Sequence, residues 1–185
     1  MRSGSSPKTL DALVDAGFRV LSRNPGANLA DVAAAAGVTR ATLHRYFPSR
    51  DALVDTLAGR AIEEMDAAVD AACQHSPSAM AAMRDCLFAL VPLGDRHGFL
   101  AHEAVITNPT IEAEFERQQG ELVALVDAAK RDGVLARDLP TDWIVRAYDY
   151  LIYAAWEAVR DQELVPKQAA EAAWRTFASG LGDSV

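Results

Sequence analysis

At 185 residues, half of them hydrophobic and 24% charged, the chain can bury a substantial core and has the composition of an ordinary globular protein, not a disordered or fibrous one. Its net charge of −8 excludes a uniformly basic nucleic-acid coat, but the charge is uneven: residues 1–50 hold seven Lys/Arg against three acids, and residues 51–185 hold eleven against 23. No charged-then-apolar leader opens the chain and no apolar stretch approaches the roughly 18–20 residues of a membrane span, so a cytoplasmic location without a membrane partner is expected.

Residues 1–7 are Ser/Gly-rich and polar and read as an N-terminal arm. Beyond them alanine is abundant, β-branched runs are short and no strand-type alternation persists, so the expected fold class is all-α. Pro, Gly and Asn punctuation divides the chain into about nine helices, near 8–23, 28–36, 39–46, 49–74, 77–93, 95–106, 109–132, 140–161 and 166–181. Asn28, Thr39 and Ser49 precede three of them and are suited to cap their orphan N–H groups. The fourth helix is long and amphipathic, with Leu53, Leu57, Ala61, Met65 and Ala68 on one stripe, and could join an N-terminal bundle to the remainder. Cys73 and Cys86 lack CxxC spacing and are expected to be small, buried and reduced.

Chemistry concentrates between residues 28 and 50. Leu29, Val32, Ala33 and Ala36 make one apolar helical face, Gly37 supplies the left-handed residue that turns the chain, and Val38 plugs the core beneath it. Thr39 opens a second short helix in which Leu43 and Phe47 face inward. Arg40, Ala41, Thr42, His44, Arg45 and Tyr46 then face outward. Such a helix–turn–helix lays its second helix in the DNA major groove, where Arg meets guanine or phosphate and Thr, His and Tyr meet methyl groups or phosphate oxygens.

The segment GVTRATLHRYFPSRDAL, preceded by Leu13, Ala16, Gly17 and Leu21 at small and apolar places, resembles the TetR family of transcriptional regulators over about residues 9–60. The resemblance implies a three-helix DNA-binding domain at residues 8–60 and a helical bundle at residues 61–185 that binds an effector and pairs with a second copy. It places Asn28 at a phosphate, Thr39, Arg40, Ala41 and Thr42 at the groove-facing start of the recognition helix, and Arg50 at a phosphate clamp usually made by Lys. His44 stands where Tyr is commoner, and Tyr46 at the next exposed aromatic-type place.

The later segment is less informative. GVLARDLPTDWIVRAYDYLIYAAWEAV resembles the family's junction into its eighth helix, and Ile144, Leu151 and Ala158, with Ala169, Ala173, Phe177 and Leu181 of the last helix, are the expected homodimer interface. Met83, Leu87, Phe88, Phe99, Phe115, Tyr150, Tyr153 and Trp156 are candidate walls of an effector pocket, each also suited to a plain core. His97, His102 and Glu103 lack metal-ligand spacing, and there is no phosphate loop or nucleophile elbow. The expected protein is thus a non-enzymatic regulator binding double-stranded operator DNA, without metal or cofactor beyond an unidentified small-molecule effector that releases a repressor. An activator or ligand-independent regulator is the alternative, and a helical enzyme or interaction module the remote one.

Overall fold

In the computed structural model, which describes residues 7–102 and 109–181, the described residues form nine α-helices and one 3-10 turn. In chain order they are α1 (Pro7–Leu21), α2 (Leu29–Ala35), α3 (Arg40–Tyr46), α4 (Arg50–Cys73), α5 (Ala79–Leu90), the 3-10 turn Val91–Leu93, α6 (Gly94–His102), α7 (Pro109–Arg131), α8 (Thr141–Arg160) and α9 (Pro166–Leu181).

The expected caps form. Asn28 Oδ1 accepts from the N–H groups of Ala30 and Asp31 at 2.8 and 3.2 Å, and Asp31 Oδ2 accepts from Asn28 N–H at 2.8 Å, closing a capping box. Thr39 Oγ1 accepts from Thr42 N–H at 3.1 Å, and Ser49 Oγ from Ala52 N–H at 3.1 Å. Gly37, with φ +68°, makes the sharp turn between α2 and α3 that an L side chain would strain. The break expected between the fifth and sixth helices is the 3-10 turn: Pro92 sits in its first turn, where its missing N–H costs nothing, and α6 follows directly.

Two apolar cores organise these helices. The first gathers α1 to α4 with α6, through Leu13, Phe18, Val32, Leu43, Leu57 and Phe99. The second gathers α5, α7, α8 and α9, through Leu87, Val126, Ile144, Tyr148 and Phe177. Because α6 contributes to the first core while it packs on α8, it stands between the two.

The contact of α6 with α8 is close because two glycines face one ring. A Cβ on Gly94 would lie 1.9 Å from Trp156 Cδ1, and one on Gly98 2.7 Å from Trp156 Cη2. The indole N–H donates to Asp95 Oδ1 at 3.2 Å, and the Arg160 guanidinium lies over the ring, 5.1 Å from its centroid. Gly98→Ala forces the buried ring to move, and is expected to lower stability in urea unfolding by about 1–3 kcal/mol.

Cys73 and Cys86, expected to be reduced and unlinked, are brought together as a disulfide pair between α4 and α5, with Cα atoms 6.4 Å apart. The reason is topological. The two helices form a tight hairpin, so residues 13 apart in sequence meet across it, a juxtaposition that CxxC arithmetic does not test.

Candidate nucleic-acid interface and ligand cavity

α3 is held by its inward side chains alone. Leu43 is fully buried and Phe47 nearly so, while Arg40, Ala41, His44 and Arg45 are exposed and Thr42 and Tyr46 are half-buried. Arg40 Nε donates to His44 Nε2 at 3.3 Å, one turn along the exposed face. That contact requires Nε2 of His44 to be the unprotonated nitrogen. The Arg45 guanidinium lies 5.5 Å from the Tyr46 ring centroid. The face offers cationic donors without a facing carboxylate inside α3, a surface suited to phosphate and base edges.

A cavity of about 980 Å³ opens between α4, α5, α6, α7 and α8. Phe115, Tyr148, Tyr150 and Tyr153 supply aromatic surface. Asp66, Asp70, Glu121 and Asp149 supply carboxylates and Arg146 a guanidinium, while Arg117 pairs with Asp66 and Glu121. Tyr148 is anchored: its hydroxyl donates to the Met83 carbonyl at 2.6 Å, and its ring meets Phe177 edge-on at 5.4 Å.

Two groups in the wall have displaced acidities. Burial pushes the Asp149 carboxyl up to about 6, against a hydrogen bond from Gln119 that pulls it down. Burial pushes the His97 imidazole down to about 4, and its Nδ1 is buried without a hydrogen-bond partner among the described residues. The folded chain therefore keeps the Asp149 proton to higher pH than the unfolded chain does. This group favours the native state fully below about pH 4 and loses that contribution as pH rises through 6. His97 works oppositely: its contribution is full above about 6.5 and disappears as pH falls toward 4. Asp149→Asn is accordingly expected to raise stability at pH 7 by roughly 1–3 kcal/mol and to change it little at pH 4, measured by urea unfolding at both.

On its other side α6 grips the first core. Arg96 Nε donates to Glu64 Oε2 at 2.8 Å and Arg96 Nη2 to Asp15 Oδ1 at 3.2 Å, so one side chain links α6 with α4 and α1. Its guanidinium also lies over Phe18, 4.5 Å from the centroid, and Phe99 meets Phe18 edge-on at 5.6 Å. His97 and Leu100 face the cavity from the same short helix.

The family model described as bacterial regulatory proteins, tetR family, matches residues 13–57, from α1 into α4. Over 183 residues the chain is 31% identical to the HTH-type transcriptional repressor LfrR of Mycolicibacterium smegmatis, covering 98% of this chain and 94% of that protein. The chain belongs to the TetR family. The crystal structure of LfrR from Mycobacterium smegmatis in complex with proflavine aligns at a TM-score of 0.74 and 30% identity, over 96% of this chain and 98% of that one. The ketosteroid regulator KstR2 of Mycobacterium tuberculosis aligns over 100% of both chains at a TM-score of 0.78 and 16% identity, which shows the shared fold.

As a TetR-family protein the chain is a DNA-binding transcriptional regulator, and the expected positions can be placed on that frame. Asn28 uses its side-chain oxygen to cap α2. Tyr46, expected at an exposed place, packs against the first core with its hydroxyl buried, because it lies on the flank of α3 toward the apolar side. Arg50 is not simply outward: its Nη2 donates to the Pro25 carbonyl at 2.7 Å and ties the start of α4 to the loop before α2.

In the larger bundle the corrections are more numerous. Of the eight candidate wall residues, Phe115, Tyr150 and Tyr153 line the cavity. Met83 and Leu87 are fully buried in the second core, Phe99 in the first, and Trp156 is closed between α6 and α8. Phe88 sits beneath Arg84, whose guanidinium is 5.0 Å from its centroid. Ile144, Ala169, Ala173 and Phe177, expected at a dimer interface, are buried within one protomer, because α8 and α9 pack their strongest apolar stripes against each other. Leu151 and Ala158 are half-buried, and the side chain of Leu181 lies outside the described residues, as do that of His102, residue Glu103 and residues 1–6 of the arm. The acidic members of the wall were missed. Asp66 and Asp70 sit four apart on α4, and their turn toward the cavity leaves no mark in a hydrophobic pattern.

Proposed function

We propose that this protein is a cytoplasmic, homodimeric repressor that leaves its operator when an aromatic cation fills the cavity. In this reading residues 8–60 form the DNA-binding unit, residues 1–7 a leading arm, and residues 61–185 the ligand-binding and dimerisation unit. Arg40, Ala41, Thr42, His44 and Arg45 meet base edges and phosphates, flanked by Asn28, Thr39, Tyr46 and Arg50.

The observation that carries the effector class is the cavity wall, aromatic and still acidic at Asp70 and Asp149 once Arg117 has paired with Asp66 and Glu121. A flat cation gains ring contacts and answers the half-buried Asp149 carboxylate, a contact that a neutral ligand of equal size lacks. LfrR, crystallised with proflavine, itself a flat aromatic cation, supports the same reading. Release follows because α6 carries both cavity-facing His97 and Arg96, which holds α1 and α4. Ligand binding that displaces α6 alters the separation of two recognition helices that must reach major grooves about 34 Å apart. The homodimer is supported by large apolar side chains left open at the start of α8 and just before α9, with Trp143 57% and Val165 57% exposed.

Proflavine titration followed by fluorescence, in the presence and absence of operator DNA selected from a random library, tests this directly. Affinity for the dye should rise about tenfold between pH 5 and pH 7 as Asp149 ionises, and Asp149→Asn should flatten that rise. Dye binding that leaves operator affinity unchanged would refute ligand release, and sedimentation at the mass of one chain would refute the dimer.

A further inference from the structure

Both cysteines of the chain stand in the wall of this cavity. Cys73 belongs to the last turn of α4 and Cys86 to the middle of α5, and their Cα separation of 6.4 Å lies within the range a disulfide spans. Their exposure differs. Cys86 is buried, whereas Cys73 is half-buried and also faces an outer groove with Asp70, Ala71 and Gln74. The two helices are packed on each other along this hairpin, so the sulfurs stay neighbours whether or not they are linked.

We propose that Cys73 and Cys86 are a reversible two-thiol modification site whose reaction partner is a low-molecular-weight disulfide. Cys73 is the entry point because it is the half-buried member of the pair and borders the outer groove, whereas Cys86 is buried. Its thiolate attacks one sulfur of the small disulfide, a bond forms between them, the small disulfide's own S–S bond breaks, and one small thiolate leaves. Cys86 then gives its proton to solvent and attacks Cys73 Sγ, which expels the second small thiolate. The chain has lost two protons and two electrons, and the small disulfide has become two thiols. Burial pushes the Cys86 thiol up, so it stays protonated and unreactive toward outside reagents until the mixed disulfide stands beside it. The product ties the end of α4 to α5 at the cavity wall. Since α4 begins at Arg50, directly after the recognition helix, the link fixes the far end of the rod that carries it.

Equilibrating the full-length protein in glutathione buffers of graded redox ratio, trapping with N-ethylmaleimide and weighing the intact chain tests this without operator or effector. The expected result is a reversible passage from two trapped thiols to none, with no retained glutathione and a rate independent of protein concentration. Cys86→Ser should stop at one glutathione on Cys73, and Cys73→Ser should react at least about tenfold more slowly. Two trapped thiols at every ratio, a pair that never opens, glutathione retained on both cysteines of the wild type, or disulfide-linked dimers would each overturn the proposal.

Discussion

Replacing Arg40 and Arg45 together by alanine lowers operator affinity at least about a hundredfold and leaves stability in urea within about 0.5 kcal/mol of wild type. Both side chains are exposed, so their loss opens no cavity, and surface changes of this kind rarely move stability further. Each guanidinium that meets a guanine edge contributes about 1–3 kcal/mol of discrimination, and a dimer loses each contact twice. Fluorescence anisotropy on selected operator DNA, repeated across a salt series, gives the measurement, and the slope of affinity against salt should become shallower. Leu43→Ala is the contrasting variant. It removes a fully buried side chain from under the same helix and should cost about 2–5 kcal/mol of stability, so that lost binding there has a different origin. Wild-type affinity for the double arginine variant would show that α3 does not read the DNA.

The second large effect belongs to Arg96. Arg96→Gln keeps a stem over Phe18 but loses the charged links to Asp15 and Glu64. The variant should bind proflavine and operator separately nearly as wild type does, while the dye's ability to weaken operator binding falls about tenfold. Couplings between sites typically amount to 1–3 kcal/mol, and Arg96 is the side chain that joins α6 to both α1 and α4. The readout is the ratio of operator dissociation constants with and without saturating dye, which a general loss of stability does not change. An unaltered ratio would place the coupling elsewhere, with the aromatic pair Phe18 and Phe99 as the next residues to vary.

The N-terminal helices were legible because their signals are local. A cap, a left-handed glycine and two apolar residues four apart determine α2, the turn and α3 within a twenty-residue window, and Asn28, Gly37, Thr39, Leu43 and Phe47 all do what those positions suggest. The bundle was legible only as helices. An apolar residue on α8 can face the protomer core, a second chain or a ligand, and its periodicity is the same in each case. Ile144 and Phe177 therefore read as interface residues although they are core, and Trp156 read as a pocket wall although two glycines enclose it. The carboxylates around the cavity were hidden for the complementary reason: Asp66 and Asp149 look like solvated surface on their own helices until helices from elsewhere in the chain half-bury them, while Asp70 and Glu121 line the rim and stay exposed.

The bare flank that α6 turns toward the indole has a mechanical meaning. Without side chains at Gly94 and Gly98, the contact lacks the interlocking ridges that ordinarily hold one helix in register with another. A smooth seat of this kind resists tilting, because any tilt drives main chain into the ring, yet offers little friction to translation along the axis. The displacement most accessible to α6 is thus a glide of shear type, braked by the Asp95 tether to the indole nitrogen on one side and by the Arg96 links to Asp15 and Glu64 on the other.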